Sequence, residues 1–259
     1  MVCRDSANIK DGRKIVGAYV RSPVAGLLSW LIDFDYTALY PSITMSCNIG
    51  PNTYMAKIDS SIAEDYIYSK DGLKTIKTIE VRHTPLKESG VTEHMTLDQF
   101  RNWMIEHNYI ITIAGSIYKS HSEEVSFLYK ILRYTLDSRA NYVELQSQAK
   151  RDKNEELTKF YKNKQMAFKV VSNSVYGVLA ASSFRFFAPD LAESITLTGQ
   201  EAIKFIGKHI SNYMVNDSDE IDINFLDNYD TKEIPYLIYS DTDSLFLNVG
   251  DYLIDKGKL

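Results

Sequence analysis

Two aspartates stand one residue apart in YSDTDSLFL, residues 239–247, with apolar residues on both sides. On one strand Asp241 and Asp243 would share a face, where two carboxylates repel each other and are costly to bury unpaired. Oxygen ligation of a divalent metal ion would compensate their charge. Asp and Ser also favour tight turns, so we predict a hairpin that folds back between Thr242 and Asp243. An ordinary acidic turn is the alternative. The apolar flanks, which place the carboxylates in a buried sheet, favour the metal site.

A second acidic centre lies at the end of an apolar run, in LIDFDYTALYPSI, residues 31–43. Mg²⁺ prefers oxygen ligands and usually takes one or two protein carboxylates together with phosphate oxygens. Asp35 with Asp243, or with Asp241, would supply those carboxylates from two neighbouring strands. Asp33 shares a strand face with Asp35, so it could equally be the ligand or a surface residue.

A polar stripe lies in QMAFKVVSNSVYGVL, residues 165–179. Lys169, Asn173 and Tyr176 stand at i, i+4 and i+7, which places them along one face of a helix. A solvated stripe on a surface helix is the alternative interpretation. Asn, Ser and Gly are poor helix formers, and their clustering at 172–177 favours a functional face.

The polar stripe belongs to one of two long predicted helices. Helical periodicity begins at Ser122, continues for about eight turns, is interrupted by RDKNEE with a cap-like Asn154, and resumes until Gly177. The pattern predicts a long antiparallel helical hairpin whose tip lies near Lys153. A third long helix is predicted from about 189 to 214.

The carboxylates require strands to hold them. GRKIVGAYV and LLSWLIDFDY are typical of strands, and LYPSITMSCN is typical of a turn leading into a short helix. LKTIKTIEVRH carries weak strand signals, Thr96 with Gln99 predicts the start of a short helix, and residues 216–235 form an acidic, loop-like stretch. Tyr236 to Val249 is predicted as the last hairpin. This order predicts an α+β fold, in which an antiparallel sheet carries an inserted long antiparallel helical hairpin.

Two cations are predicted to face each other across the helical hairpin. Positions equidistant from the tip of an antiparallel pair lie level with each other, and the midpoint of Arg139 and Lys169 is residue 154. Cations gathered beside a carboxylate-bound metal ion suit a polyphosphate, because cations and metal both neutralise its oxygens. The sequence therefore predicts a nucleoside triphosphate as substrate.

The composition is that of an ordinary globular protein, with 259 residues, 44% hydrophobic and 24% charged. No apolar run approaches the roughly 20 residues that cross a bilayer and no signal-peptide pattern opens the chain, so no membrane partner is expected. Cys3 and Cys47 are too few for a disulfide framework, which favours an intracellular location. The net charge of −5 argues against a wholly basic nucleic-acid coat but permits a local basic face.

Three motifs, in order along the chain, resemble those of family B (alpha-like) DNA polymerases of viral or phage type. DFDYTALYPSI resembles the first polymerase motif of that family. KVVSNSVYG matches the fingers motif at every fixed position, and YSDTDS matches the last catalytic motif, with Ser240 where Gly is commoner. VGAYV, at 16–20, resembles the short element that joins the exonuclease and polymerase parts of such enzymes.

The resemblance implies three segments along the chain. Residues 1–121 would be the N-terminal part of a palm, residues 122–188 a fingers hairpin, and residues 189–259 the C-terminal part of the palm. About 14 residues precede IVGAYV and about 15 follow YSDTDS, too few for the exonuclease and thumb domains of the family. We therefore expect those two domains to be absent and to be supplied by separate polymerase chains or by further sequence.

The resemblance also implies a role for each matched residue. Asp35, Asp241 and Asp243 would be catalytic, with Asp35, Asp243 and the Tyr36 carbonyl as ligands of two Mg²⁺ ions, which Mn²⁺ could replace. The triphosphate would contact the amides near Ala38 and Leu39 and the side chains of Arg139, Lys169 and Asn173, with Tyr40 under the sugar. Tyr176 and Gly177 would contact the nascent base pair and the template. Val143 stands where the family often has a second cation, so a weaker grip on the phosphates is expected.

The implied function is template-directed DNA synthesis, in which a two-metal mechanism transfers a nucleotide from a dNTP to a primer 3′-hydroxyl. The implied partners are primer–template DNA, dNTP and separate exonuclease-bearing and thumb-bearing chains. The implied location is the site of DNA replication, the host cytoplasm for a virus or phage. A catalytically inactive polymerase-like scaffold is the alternative, but the two aspartates whose loss would signal it, Asp35 and Asp243, are present. A phosphoryl-transfer enzyme of another class would carry a Gly-rich phosphate loop, and no G-x-x-x-x-G-K-[ST] appears.

Overall fold

The computed structural model describes residues 15–68, 73, 75–83, 91–216 and 234–258. These residues form seven helices and nine strands, and the predicted α+β class is confirmed. The strands are β1 (Val20–Arg21), β2 (Leu31–Asp35), β3 (Tyr54–Lys57), β4 (Ile79–His83), β5 (Thr92–Met95), β6 (Ile110–Ile111), β7 (Ser116–Tyr118), β8 (Leu237–Asp241) and β9 (Ser244–Asn248). The helices are α1 (Leu39–Ser46), α2 (Ser60–Ile67), α3 (Leu97–Glu106), α4 (Phe127–Arg151), α5 (Glu155–Ala180), α6 (Pro189–Asn216) and α7 (Val249–Asp255). They divide between a first unit, which contains Tyr40–Ile195, and a second unit, which contains Val16–Leu39 and Thr196–Leu259.

The second unit contains an antiparallel sheet of four strands in the order β1-β8-β9-β2. The predicted last hairpin is confirmed as β8 and β9, joined by Thr242 and Asp243. Burial of an aliphatic side chain contributes about 1.5–3 kcal/mol, so the residues between the sheet and α6 account for much of this unit's stability. This core consists of Ile203, Met214, Ile234, Leu237, Leu245 and Leu247.

Strand β2 lies at the edge of this sheet and pairs with β9, which places Asp35 opposite Ser244. All five of its residues are exposed. The two predicted N-terminal strands are shorter in the structure than in the sequence pattern. LLSWLIDFDY forms a strand only from Leu31, and GRKIVGAYV contributes only Val20 to β1, since its pairing with β8 covers two residues. Residues 12–14 of that segment lie outside the described residues.

The first unit contains a second antiparallel sheet, in the order β5-β4-β3-β7-β6. Its strands are two to five residues long, and only the weak signal in LKTIKTIEVRH indicates any of them in the sequence. Helix α3 packs on this sheet through Phe100, which is fully buried among Ile58, Ile79, Val81 and Ile117. The sheet is therefore stabilised by apolar contacts between residues far apart in the sequence, and its individual strands are hard to predict from the sequence.

The capping signals of the sequence are confirmed at two helices. At α3 the Thr96 hydroxyl accepts from the Gln99 N–H at 3.3 Å, and the Gln99 side chain accepts from the Thr96 N–H at 2.8 Å. At α5 the Asn154 side chain accepts from the Leu157 N–H at 3.0 Å. Each such cap satisfies an N–H that the helix itself cannot, and losing one typically costs about 1 kcal/mol.

Helices α4 and α5 confirm the predicted antiparallel hairpin with its tip near Lys153. Two boundaries differ from the prediction. Helix α4 begins at Phe127, because Ser126 and not Ser122 accepts the first free N–H. Helix α5 passes through Gly177 to Ala180, since a single glycine costs only about 1 kcal/mol and Leu179 is buried beyond it.

The third predicted long helix is confirmed as α6, which ends two residues beyond the predicted position. The acidic stretch at 216–235 lies mostly outside the described residues, which omit 217–233. Among the helices that the structure describes, none is both long and apolar enough to cross a membrane.

Candidate active site

The turn between β8 and β9 holds the two aspartates of YSDTDS. The Asp241 carboxylate accepts hydrogen bonds from the Tyr239 hydroxyl at 3.2 Å and from the Thr242 hydroxyl at 2.9 Å. Asp241 and Asp243 are both half-buried. The buried setting expected from the apolar flanks is therefore only partly realised for these carboxylates. They belong to the turn at the rim of the sheet, whereas the leucines of β8 and β9 occupy its core.

Thr242 holds this turn in a strained conformation. Its φ is 55°, in a region that a β-branched residue rarely adopts, at a cost of about 1–3 kcal/mol. The Thr242 N–H donates to the Tyr19 carbonyl at 3.0 Å, and the Asp243 N–H donates to the Asp241 carbonyl at 2.6 Å. Sequence reasoning missed Tyr19, because a backbone acceptor leaves no signal in residue types. Strained backbone clusters at functional sites, so the outlier supports a function for the turn.

Asp35 approaches the same turn from strand β2. It is the cross-strand partner of Ser244, the residue after Asp243. The Tyr36 N–H donates to the Asp243 carbonyl at 2.7 Å. Because neighbouring strands lie about 4.7–4.9 Å apart, adjacent backbone segments of one unit carry the Asp35 and Asp243 carboxylates. Asp33 stands two residues earlier and farther from the turn.

The oxygen donors of these residues suit a hard divalent cation. The described part of the chain has no group of three or more His, Cys, Asp or Glu side chains that could hold a metal ion. Mg²⁺ does not require such a cage, since it is usually bound by one or two carboxylates together with substrate phosphates and water. Asp35, Asp243 and the Tyr36 carbonyl therefore fit an ion that binds together with a phosphate-bearing substrate.

The chain turns sharply between β2 and α1. Ala38, three residues after Asp35, has a φ of 59° and is a second residue with a strained backbone. Leu39, the first residue of α1, is buried. The first N–H groups of a helix lack an intrahelical acceptor and can bind an anion. The contact of a triphosphate with the amides near Ala38 and Leu39 stays a prediction.

In the first unit, Lys169, Asn173 and Tyr176 lie along one face of α5, as their spacing predicts. Lys169 and Asn173 are exposed and Tyr176 is half-buried. The Tyr176 ring contacts the ring of Tyr40, with centroids 4.9 Å apart and planes tilted by 60°. Burial raises the pKa of the Tyr176 hydroxyl, so it stays neutral and can donate a hydrogen bond. The structure thus brings four of the predicted nucleotide and template residues into one surface.

Arg139 lies on α4, at nearly the same level of the hairpin as Lys169. Tyr142, one turn after Arg139, stacks on Phe168, which directly precedes Lys169, with ring centroids 5.7 Å apart. The Nε of Arg139 is buried and has no hydrogen-bond partner within the described ranges. A buried donor without an acceptor costs about 1–3 kcal/mol, a penalty that an anionic ligand could relieve. Val143, where a second cation was expected from the family, is partly exposed.

Asn48, which sequence reasoning missed, fixes the base of the hairpin to the loop after α1. Its side-chain amide donates to the carbonyls of Lys119 and Glu124 at 2.8 and 2.7 Å, and its Oδ1 accepts the Ser126 N–H at 2.8 Å. A Cβ added at Gly50 would collide with the Ser126 side chain, so the loop needs glycine there. Asn followed two residues later by Gly is the sequence signal of this anchor, but it is equally typical of an ordinary turn.

Gly177 lies on the exposed surface of α5 without a packing reason to be glycine. A Cβ added there would meet no atom within 4 Å. Glycine inside a helix is less stable than alanine by about 0.5–1 kcal/mol. The absence of a side chain at this exposed position suits a ligand that approaches the backbone closely, as the predicted template contact requires.

We expect Gly177→Ala to raise the free energy of unfolding by about 0.5–1 kcal/mol and to lower primer extension about tenfold, because a Cβ would displace a closely bound template. Chemical denaturation and single-turnover incorporation measure the two effects. Ala167→Gly, at an exposed position of α5 on the side of the helix opposite Tyr176, is the mirrored control, which should lose stability and keep activity. Normal extension by Gly177→Ala would leave Gly177 without a role in template contact.

Comparison with known proteins gives a consistent result. The family model described as DNA polymerase family B matches residues 1–257. The chain is 25% identical to the DNA-directed DNA polymerase of Enterobacteria phage T4, over 93% of this chain and 27% of that protein. It is 25% identical to DNA polymerase 1 of Sulfolobus acidocaldarius, over 93% of this chain and 20% of that protein, and 27% identical to the DNA polymerase zeta catalytic subunit of Saccharomyces cerevisiae, over 89% and 12%. The chain thus spans about a quarter or less of the length of these relatives.

Proposed function

The chain belongs to DNA polymerase family B, and we propose that it performs template-directed transfer of a deoxynucleotide from a dNTP to a primer 3′-hydroxyl. Residues 122–188 would serve as the fingers, and the sheet of the second unit would serve as the core of the palm. The relatives that it matches are named as DNA polymerases from a phage, an archaeon and a eukaryote.

One observation carries this proposal: two acidic motifs distant in sequence meet at the same end of one sheet. Asp35 pairs across the strands with Ser244, and the Tyr36 N–H donates to the Asp243 carbonyl. Asp241 is held in the same turn by the hydroxyls of Tyr239 and Thr242. An arrangement of paired carboxylates at the rim of a sheet, within reach of a solvent-borne substrate, suits phosphoryl chemistry better than it suits a structural role.

Asp35, Asp243 and the Tyr36 carbonyl would hold two Mg²⁺ ions, with Mn²⁺ as a substitute, and Asp241 would lie beside them. When bound, such ions supply charge stabilisation to the attacking and leaving oxygens of the transfer. The protein's own part is to fix the carboxylates on adjacent strands, so that little reorganisation is needed when substrate binds. The hydrogen bonds at Thr242 maintain that geometry against its backbone strain.

The hairpin residues would bind the nucleotide. Arg139, Lys169 and Asn173 would hold the phosphates, and the buried Nε of Arg139 that has no partner among the described residues supports an anionic ligand there. The ring pair of Tyr40 and Tyr176 would lie against the sugar and the nascent base pair. A ring packed beneath the sugar would exclude a 2′-hydroxyl and so favour deoxynucleotides.

Primer–template DNA and dNTP would be the substrates. Separate exonuclease-bearing and thumb-bearing polymerase chains stay a prediction, and so does an intracellular location at the site of DNA replication. Since duplex affinity depends largely on cations that neutralise phosphates, a chain with net charge −5 should bind duplex weakly and synthesise distributively.

Primer extension tests the proposal directly. With the protein in excess over a primer–template, at low salt and with Mg²⁺, we expect addition of the complementary deoxynucleotide and short products that shorten further as salt rises. A matched template with a different base should change which nucleotide is added. Long products at near-physiological salt would contradict distributive synthesis, and absence of any templated addition at high protein concentration would contradict the proposed activity.

A further inference from the structure

The tip of the helical hairpin contains a crevice that the proposed chemistry does not use. It lies between the end of α4 and the start of α5 and has a volume of about 680 Å³. Four lysines and only one carboxylate line it. The lining residues are Lys150, Lys153, Glu155, Thr158, Lys159 and Lys162.

The charge of this crevice differs from that of the chain. Residues 150–162 contain five basic and three acidic residues, so their net charge is +2, whereas the whole chain carries −5. No ion pair links any of the four crevice lysines to a carboxylate in the part of the chain that the structure describes. Like charges gathered in a cleft repel one another and focus the field outward, which attracts an anion.

The crevice continues into the predicted nucleotide-binding face. Lys162 and Lys169 stand seven residues apart on α5, so they share a helix face and lie about 10.5 Å apart along its axis. Lys150 stands eleven residues after Arg139 on α4, again on nearly the same face. The cations therefore form a track that is longer than one nucleoside triphosphate and runs along one side of the hairpin.

We propose that this crevice binds the phosphate backbone of single-stranded nucleic acid, which would pass along the hairpin beside the nucleotide site. The crevice volume of about 680 Å³ equals that of a cube with edges of about 9 Å. One major groove of B-DNA alone is about 12 Å wide, so a whole duplex is too wide to enter the crevice. A single strand can enter and place successive phosphates against successive lysines.

Binding of a short fluorescein-labelled oligothymidylate tests this site by fluorescence anisotropy at increasing salt. EDTA is present and dNTP is omitted, so the result does not depend on nucleotidyl transfer and separates failure of this site from failure of the proposed activity. The variant K150Q/K159Q/K162Q should bind roughly tenfold more weakly at low salt. Each phosphate contact of a single strand contributes about 0.7 to the slope of log affinity against log salt. Because the variant removes three lysines, this slope should become shallower by about 2.

A matched control removes three exposed lysines elsewhere, in K77Q/K130Q/K258Q. It lowers net charge equally, and it should keep the affinity and salt slope of the unchanged chain. Melting curves establish that both variants are folded. Four results would each overturn the proposal. The two variants could lose affinity equally, or the unchanged chain could bind blunt duplex as tightly as the oligothymidylate. The oligothymidylate could be displaced by dATP at a phosphate concentration similar to its own, or the unchanged chain could fail to bind it.

Discussion

Asp243→Asn is expected to lower nucleotide incorporation by about 10³-fold or more while leaving the fold intact. The carboxylate would bind both metal ions, and the charge stabilisation that such ions supply amounts to several kcal/mol, at about 1.4 kcal/mol for each factor of ten in rate. Asparagine has nearly the same shape and preserves the backbone contacts of residue 243 with Tyr36 and Asp241. Single-turnover incorporation with protein in excess measures the loss, and thermal unfolding checks the fold.

The control for charge is Asp255→Asn, in the same unit, where the residue accepts a hydrogen bond from Tyr236 at 2.8 Å. It should keep full activity. The sequence alone leaves open whether Asp33 or Asp35 is the metal ligand, and Asp33→Asn distinguishes the two. Because Asp33 is farther from the turn than Asp35, this variant should keep its activity. Near-normal extension by Asp243→Asn would show that the two-metal assignment is wrong.

Local signals predicted those parts of the fold that local interactions determine. The caps at Thr96 and Asn154 and the tip near Lys153 follow from hydrogen bonds between residues at most a few positions apart. The five-stranded sheet of the first unit did not follow, because its short strands gain stability only from distant partners around Phe100. Helix α5 continues beyond its predicted end at Gly177, because burial of later residues outweighs the lower helix stability that one glycine causes.

The same division explains what could be predicted of the site. Residue types and spacing selected Asp35, Asp241 and Asp243, since chemistry requires particular side chains. They did not reveal Tyr19, whose backbone carbonyl accepts the Thr242 N–H, because any residue could supply it. The apolar flanks also suggested buried carboxylates, whereas alternation along β8 and β9 buries the leucines and leaves the turn at the rim.

The hairpin cations offer the most direct test of how the first unit serves this chemistry. Lys169 is exposed on the face of α5 that also carries Asn173 and Tyr176. Its ammonium makes no ion pair with any carboxylate of the described residues. A lysine without a partner at this position is available to an anionic substrate, and Arg139 stands nearly level with it on α4.

Lys169→Ala is therefore expected to raise KM for dNTP and to lower kcat, with a combined loss of about 10²-fold or more in kcat/KM. A cation on the phosphates both positions the substrate and stabilises charge on the departing group, and removal of one such donor typically costs 10²–10³ in rate. Lys164→Ala is the matched control, because Lys164 lies on another side of the same helix, over the Phe160 ring at 5.5 Å. It removes the same charge and should leave both constants unchanged. Normal single-turnover incorporation by Lys169→Ala would show that Lys169 is a solvated surface residue without a role in nucleotide binding. An equal loss of kcat/KM in the two variants would indicate a general effect of charge on DNA binding.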